Sequence, residues 1–286
     1  MYERGVDFRL GSNTDRRPSP ALWDKIPFTR IQSGDLDGIA IFDDFSELPL
    51  VAIGAEAAQG RYKRFGDTGN TITKVISVNS VLTPGGALQF VLDTDNDEVT
   101  LCHSFPSFLL TGLTTNSGPA AFEFCYAQNS IAANQAAGFI GLANVAAIAL
   151  STTVPFNDAD AIDASMYGIG FRILENGLGV VDTVYTDGAT SFTNIGDDEG
   201  GTLVANTFVK YGMTYDPSNV NECITFWKDN QKLTTKMTRA ALTALTNLDV
   251  NGLGFMASFC AAASGTSFKS YLKWIKMAQL APSTQP

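Results

Sequence analysis

From about residue 70 onward the chain repeats one pattern, an apolar side chain at every second position over runs of seven to ten residues. A period of two is the mark of a β-strand with one face turned to a core, and it is incompatible with the 3.6-residue period of a helix. "TITKVISV" (71–78) alternates, and "AFEFCYA" (121–127) sets Phe122, Phe124 and Tyr126 on one face with Glu123 and Cys125 on the other. "MYGIGFRIL" (166–174) groups Tyr167, Ile169, Phe171 and Ile173, and "TFVKYGMTYD" (207–216) groups Val209, Tyr211, Met213 and Tyr215. "ALQFVLD" (87–93), "LGVVDTVYT" (178–186), "LGFMASFCA" (253–261) and "SFKSYLKWIKMAQL" (267–280) read as further strands. "ECITFWKDNQKL" (222–233) reads as a strand, a polar turn and a short return. Helical periodicity is convincing only in "MTRAALTAL" (237–245). Many strands joined by Gly, Asn, Asp, Ser and Thr predict an all-β sandwich of two antiparallel sheets, with Phe122, Phe124, Phe171, Tyr211, Phe226 and Phe255 in its core.

The front of the chain breaks this pattern. "SPALWDKIPFTRIQSGDLDGIAIFDDF" (19–45) is too interrupted for a strand or helix over most of its length and too apolar for a solvated tail. Pro18, Pro20 and Pro27 disfavour both helix and central strand. Residues 1–38 are therefore expected to form an extended arm, residues 39–280 the sandwich, and residues 281–286 a frayed tail. Trp23, Ile26 and Phe28 are anchors of the kind that carry interface energy, and Arg16, Arg17 and Arg30 are placed to pair with carboxylates of a partner.

Charge narrows the choice of partner. Formal net charge is −10, yet residues 1–30 hold six basic and four acidic residues, a net of +2, which leaves −12 for the rest. A body this acidic is a poor match for nucleic acid, whose affinity comes from Lys and Arg facing phosphate. A mildly basic arm suits an acidic partner. The first residues, "MYERGVDFRL", lack the apolar stretch of a signal peptide, and the most apolar run, "AAGFIGLANVAAIAL" (136–150), is too short and too broken by Gly138, Gly141 and Asn144 to span a bilayer.

The usual chemical constellations fail one by one. Cys102, Cys125, Cys223 and Cys260 each sit in an apolar run without zinc spacing, and they read as buried free thiols. His103 is the single histidine, and its neighbour Cys102 points to the opposite face of the strand. Glu123 and Asp182 have no carboxylate two positions away, so no glycosidase pair is visible. Asp93, Asp95 and Asp97 have the one-three-five spacing of a calcium loop, but Glu98 stands where the turn needs Gly and Ser104 where a bidentate Glu belongs. These three aspartates are the calcium candidate, on a sandwich rim; no other cofactor is implied. "GDDEGG" (196–201) is an acidic loop. Trp227 and Trp274 are candidates for a sugar platform or, more simply, core residues.

Two resemblances follow from the quoted residues. "NTFVKYGMTYDPSNVNECITFWKDNQKL" (206–233), with Tyr215-Asp216 and Asp229-Asn230 closing its strands, resembles a strand pair of the concanavalin/laminin-G-like jelly rolls. "SYLKWIKM" (270–277) resembles the closing strand of that family, with Lys273 where an acidic residue is usual, and "FEFCYAQ" with "GFIGLAN" resembles its paired opening strands. The front segment, with Trp23-Asp24, Pro27 and Phe42-Asp43-Asp44-Phe45, resembles structural proteins of tailed bacteriophages, in particular capsid decoration or cement proteins; "LDTDNDEVTL" (92–101) resembles a turn in the same proteins. The resemblance implies a non-enzymatic virion protein. It would be made in the host cytoplasm and displayed on the capsid exterior, with the major capsid protein and copies of itself as partners in a homo-oligomer. The alternative reading is a lectin-like module that binds carbohydrate such as host-surface glycans. An enzyme on the same fold is the third.

Overall fold

A computed structural model describes residues 19–45, 61–66, 71–78, 81–92, 98–104, 106–112, 117–132, 136–144, 162, 165–174, 178–248, 251–261 and 268–282. In chain order the elements are α1 (Phe28–Gln32), β1 (Gly38–Asp43), β2 (Tyr62–Gly66), β3 (Thr71–Val78), β4 (Val81–Leu92), β5 (Glu98–His103), β6 (Ala120–Gln128), β7 (Ala136–Ala143), β8 (Tyr167–Ile173) and β9 (Val181–Asp187). They continue with β10 (Thr193–Gly196), β11 (Val209–Tyr215), β12 (Ile224–Lys228), β13 (Gln231–Met237), α2 (Arg239–Thr243), β14 (Gly254–Ala261) and β15 (Phe268–Leu280).

Two antiparallel sheets result. One runs β13-β12-β11-β6-β15-β4-β3, with β1 also paired to β15; the other runs β10-β9-β8-β7-β14-β5-β2. The inner faces meet in a core of aromatic and aliphatic side chains, and the six predicted core aromatics are all buried in it. Phe124 packs at 5.4 Å from Phe122, 5.6 Å from Phe171 and 5.9 Å from Tyr211, which ties β6 to β11 within its sheet and to β8 across the sandwich. Thr238 caps α2, its hydroxyl accepting the Ala241 amide, as an N-cap threonine does. Asp229 and Asn230 turn β12 into β13 with φ of 48° and 66°, the left-handed pair a tight two-residue hairpin requires.

β15 is the long strand at the centre of its sheet. One edge pairs with β6, and the other pairs first with β4 and then with β1. Its pairing with β6 slips by one residue between Leu272 and Trp274, which leaves Lys273 as the extra residue. A bulge of this kind exchanges the two faces. Leu272 and Phe268 face the core before it, Ile275 and Met277 after it, and Trp274 and Lys276 turn to the outer face.

Two expectations are corrected here. β6 and β7 do not pair: β6 lies between β11 and β15, whereas β7 lies between β8 and β14 in the opposite sheet. The link between them crosses from one layer to the other, and both strands are buried on two faces, so their apolar runs look alike in sequence. Residues 19–37 are not an extended arm separate from the sandwich. They form a turn over 20–25, the short helix α1 and a second turn, and they fold back as a strap over the outer face of the first sheet. The reason is the hydrophobic effect: Leu22, Trp23, Ile26, Phe28 and Ile31 would be exposed on a free arm, and the sheet offers Ala121, Ala278, Trp227 and Leu280 to cover them. Pro27 sits at the N-cap of α1, where a missing amide costs nothing.

Candidate functional site

The strap and the sheet beneath it enclose a cleft of about 250 Å³. Ala21, Leu22, Asp24, Lys25 and Ile26 form one wall; Thr214, Asp216, Thr225, Trp227 and Lys232 from the ends of β11, β12 and β13 form the other, with Asn219, Glu222 and Pro119 at the rim. The wall exists because β11 and β12 place alternate side chains outward. Thr214 pairs with Thr225 in register, and their hydroxyls are 2.6 Å apart. The half-buried Trp227 ring stands beside them and donates its Nε1–H to Thr214 Oγ1 at 3.2 Å.

Lys25 bridges the cleft, its ammonium 2.8 Å from Asp216 Oδ2. Asp216 also accepts the Ser218 amide and hydroxyl. Burial pulls the Asp216 carboxyl up, but the hydrogen bonds from Lys25 and Ser218 outweigh it and hold the group below its ordinary value. Glu222 is held low by hydrogen bonds from Lys232 at 2.5 Å and Lys236 at 3.0 Å. These two carboxylates are therefore ionised acceptors near neutral pH. The rim also carries the amide of Asn219, whose Oδ1 accepts the Asn221 and Glu222 amides. The cleft thus offers an aromatic face, hydroxyls, carboxylates and an ammonium, a set suited to holding a polar ligand with one apolar face.

The predicted site residues are split by the structure. Ile26 contributes to the cleft wall, while Trp23 and Phe28 lie behind it, their rings meeting edge to face at 5.3 Å. All three anchors are spent within their own chain. Arg30 is exposed in the last turn of α1. Arg16, Arg17 and the calcium candidates Asp93, Asp95 and Asp97 lie outside the described residues. Trp274 is fully buried on the outer face of its sheet, so of the two tryptophan candidates only Trp227 borders the cleft. The four cysteines are buried free thiols. His103 lies in the core against Tyr62 and Phe255, and burial, helped by Arg61, drives its imidazole down to about 3.

Sequence reasoning missed two groupings. Asp182 is not alone: its carboxylate and those of Asp197 and Asp198 come within 4.8 Å of one another where β9 meets the acidic loop. Arg172 already supplies a cation there, 3.0 Å from Asp182, and the Asp198 amide donates to the same side chain. Glu123 is also partnered, by the strap. Its Oε2 accepts the Ser19 amide at 3.1 Å and the Trp23 indole N–H at 2.7 Å, and its Oε1 bonds the Ser19 hydroxyl. No spacing rule joins residues about 100 positions apart, and an outward glutamate on an alternating strand reads as solvent-facing.

No family model matches the chain, and no curated protein does. Among solved structures, its fold is similar to peanut lectin, at a TM-score of 0.52 and 12% identity over 87% of this chain and 100% of that one. It is similar to a protein of unknown function from Shewanella oneidensis MR-1, at 0.53 and 12% over 91% and 96%. It is also similar to an endo-1,3-β-glucanase from Streptomyces sioyaensis, at 0.50 and 13% over 85% and 96%. The chain has the concanavalin-like jelly-roll fold of these proteins. That fold carries binding proteins and hydrolases alike, so function has to be argued from the site.

Proposed function

We propose that this chain is a non-enzymatic, lectin-like binding module that takes a carbohydrate in the cleft between the strap and β11–β13. The observation that carries the reading is the half-buried Trp227 ring set among Thr214, Asp216, Asn219, Glu222 and Lys232 in a cleft about the size of a small polar ligand. A sugar ring has an apolar C–H face and an edge of hydroxyls, which match an indole face and a fringe of carboxylate and amide acceptors. Asp216 and Glu222, both held low by their lysine partners, favour binding over hydrolysis, because a glycosidase needs one carboxyl kept protonated to donate to the leaving group. A glycan microarray tests this, followed by calorimetry on the best binder. Wild-type protein binds a defined set of glycans, and Trp227→Ala loses that binding while keeping its fold by circular dichroism. An empty array, or binding indifferent to Trp227→Ala, refutes the cleft as the site.

A second reading rests on the resemblance of residues 21–45 to tailed-phage structural proteins: a decoration or cement subunit on the capsid exterior, bound to the major capsid protein and to copies of itself. With Trp23, Ile26 and Phe28 turned inward, capsid contact on this reading falls to Arg16, Arg17 and the exposed Arg30. Co-sedimentation with purified capsids separates the readings. A cement subunit stays with washed particles at fixed stoichiometry and releases when the three arginines become glutamines; a glycan-binding module does not follow the capsid.

A further inference from the structure

The strap grips the sandwich at one buried carboxyl. Glu123 stands in the middle of β6 on the outer face and is 1% exposed. Its three hydrogen-bond partners, the Ser19 amide, the Ser19 hydroxyl and the Trp23 indole N–H, all belong to the strap. When the strap lifts, the same carboxyl meets water. The geometry accepts either protonation state. Oε2 takes the two N–H donors in both, while Oε1 faces a hydroxyl that can donate to a carboxylate or accept from a protonated carboxyl.

Among the described residues, the charged groups around Glu123 are few. Lys276 on β15 is its register partner and acts on it through charge. The Lys276 ammonium lies over the rings of Trp274 and Phe42, at 4.4 and 5.1 Å. On β11 the register partner is Gly212, with Lys210 two residues along. The strap's own charges, Asp24 and Lys25, line the cleft, and Lys25 is paired to Asp216.

We propose that the strap is a proton-linked latch, held most firmly with Glu123 protonated and loosened as Glu123 ionises. Burial disfavours the charged form and raises the group above its ordinary value; the Ser19 and Trp23 hydrogen bonds and Lys276 pull the other way without cancelling it. With the strap lifted, the carboxyl returns toward the ordinary range. The docked state therefore holds the proton more tightly. Docking is strongest below the ordinary carboxyl value, weakens as pH rises from there to the docked value, and is weakest above it. Because residues 21, 22 and 24–26 form a wall of the cleft, ligand affinity there follows the same proton; that consequence rests on the carbohydrate reading, whereas the latch does not.

Hydrogen exchange of the strap tests it without any ligand. The Trp23 and Ile26 amides are bonded within the strap, to Ser19 O and Trp23 O. Between about pH 4 and pH 9, after correction for intrinsic chemistry, their protection should fall by about tenfold for each pH unit by which docking raises Glu123. In Glu123→Gln, whose side-chain amide keeps all three contacts without charge, protection should stay level with the acid limb of the wild type. Protection independent of pH in the wild type, or the same fall in the variant, overturns the proposal. A carboxyl carbon-13 titration of Glu123 in the wild-type protein gives a variant-free check. A midpoint above the ordinary glutamate value is expected; one at or below it overturns the proposal.

Discussion

Replacing Trp23 by Phe probes how the strap is held. The substitution keeps an aromatic ring against Phe28 but removes the indole N–H that donates to Glu123 Oε2 at 2.7 Å. Removing the donor to a buried acceptor costs about 1–3 kcal/mol. The smaller ring also leaves a void in the cluster beneath the strap, at a cost of about 1 kcal/mol. The sum, about 2–4 kcal/mol, makes the open strap roughly 30- to 1,000-fold more populated. Native-state hydrogen exchange by mass spectrometry reads this at Ala21, Trp23 and Ile26, whose amides are bonded to Asn230, Ser19 and Trp23. The loss should be local, because opening the strap breaks none of the ladder bonds that join β6 to β11 and β15. An increase below about threefold in strap exchange would refute the buried indole–carboxyl contact as a significant hold, since it corresponds to under about 0.7 kcal/mol. Equal losses across the strap and β6 would show that the strap does not open as a unit of its own.

Phe124→Ala, at the meeting point of Phe122, Phe171 and Tyr211, should cost about 3–5 kcal/mol in equilibrium denaturation with an unchanged denaturant slope. Gly141→Ala drives a methyl into the Ile169 carbonyl and to 2.8 Å from the Phe139 ring, so a cost of about 1–3 kcal/mol is expected from overpacking, visible as a lowered melting temperature. The four thiols should be inert to an aromatic disulfide reagent in the native state and all reactive after denaturation without reductant. Burial pushes Cys102 and Cys125 up to about 12, and the thiol rather than the thiolate is a poor nucleophile. Recovery of fewer than four would reveal a disulfide.

Alternation made the strands legible. β3, β6, β8, β11 and β14 fall where the period-two runs lie, because the signal compares residues two positions apart and needs no knowledge of the partner. The Asp229-Asn230 turn and the short helix α2 were legible for the same reason, each resting on chemistry within a few residues. What local chemistry leaves open is which strand pairs with which and what covers an outward face. "FEFCYAQ" and "GFIGLAN" are both doubly buried and apolar, and only the crossing between layers assigns them to opposite sheets. Lys273 in "YLKWIKM" reads as one more residue of an alternating strand, yet it is the bulge that turns Trp274 outward and Ile275 inward. Proline and broken periodicity correctly set residues 19–37 apart from the regular strands. Whether their apolar side chains would lie on a partner or on the chain's own sheet was settled by the surface waiting for them: Glu123, about 100 residues away, which a strand pattern reads as facing water and the fold buries beneath Ser19 and Trp23. Local alternation sets which side of a strand a residue takes; only contacts between residues far apart in the chain decide whether that side meets solvent, because the energy of burial belongs to the pair of surfaces and is written in neither one alone.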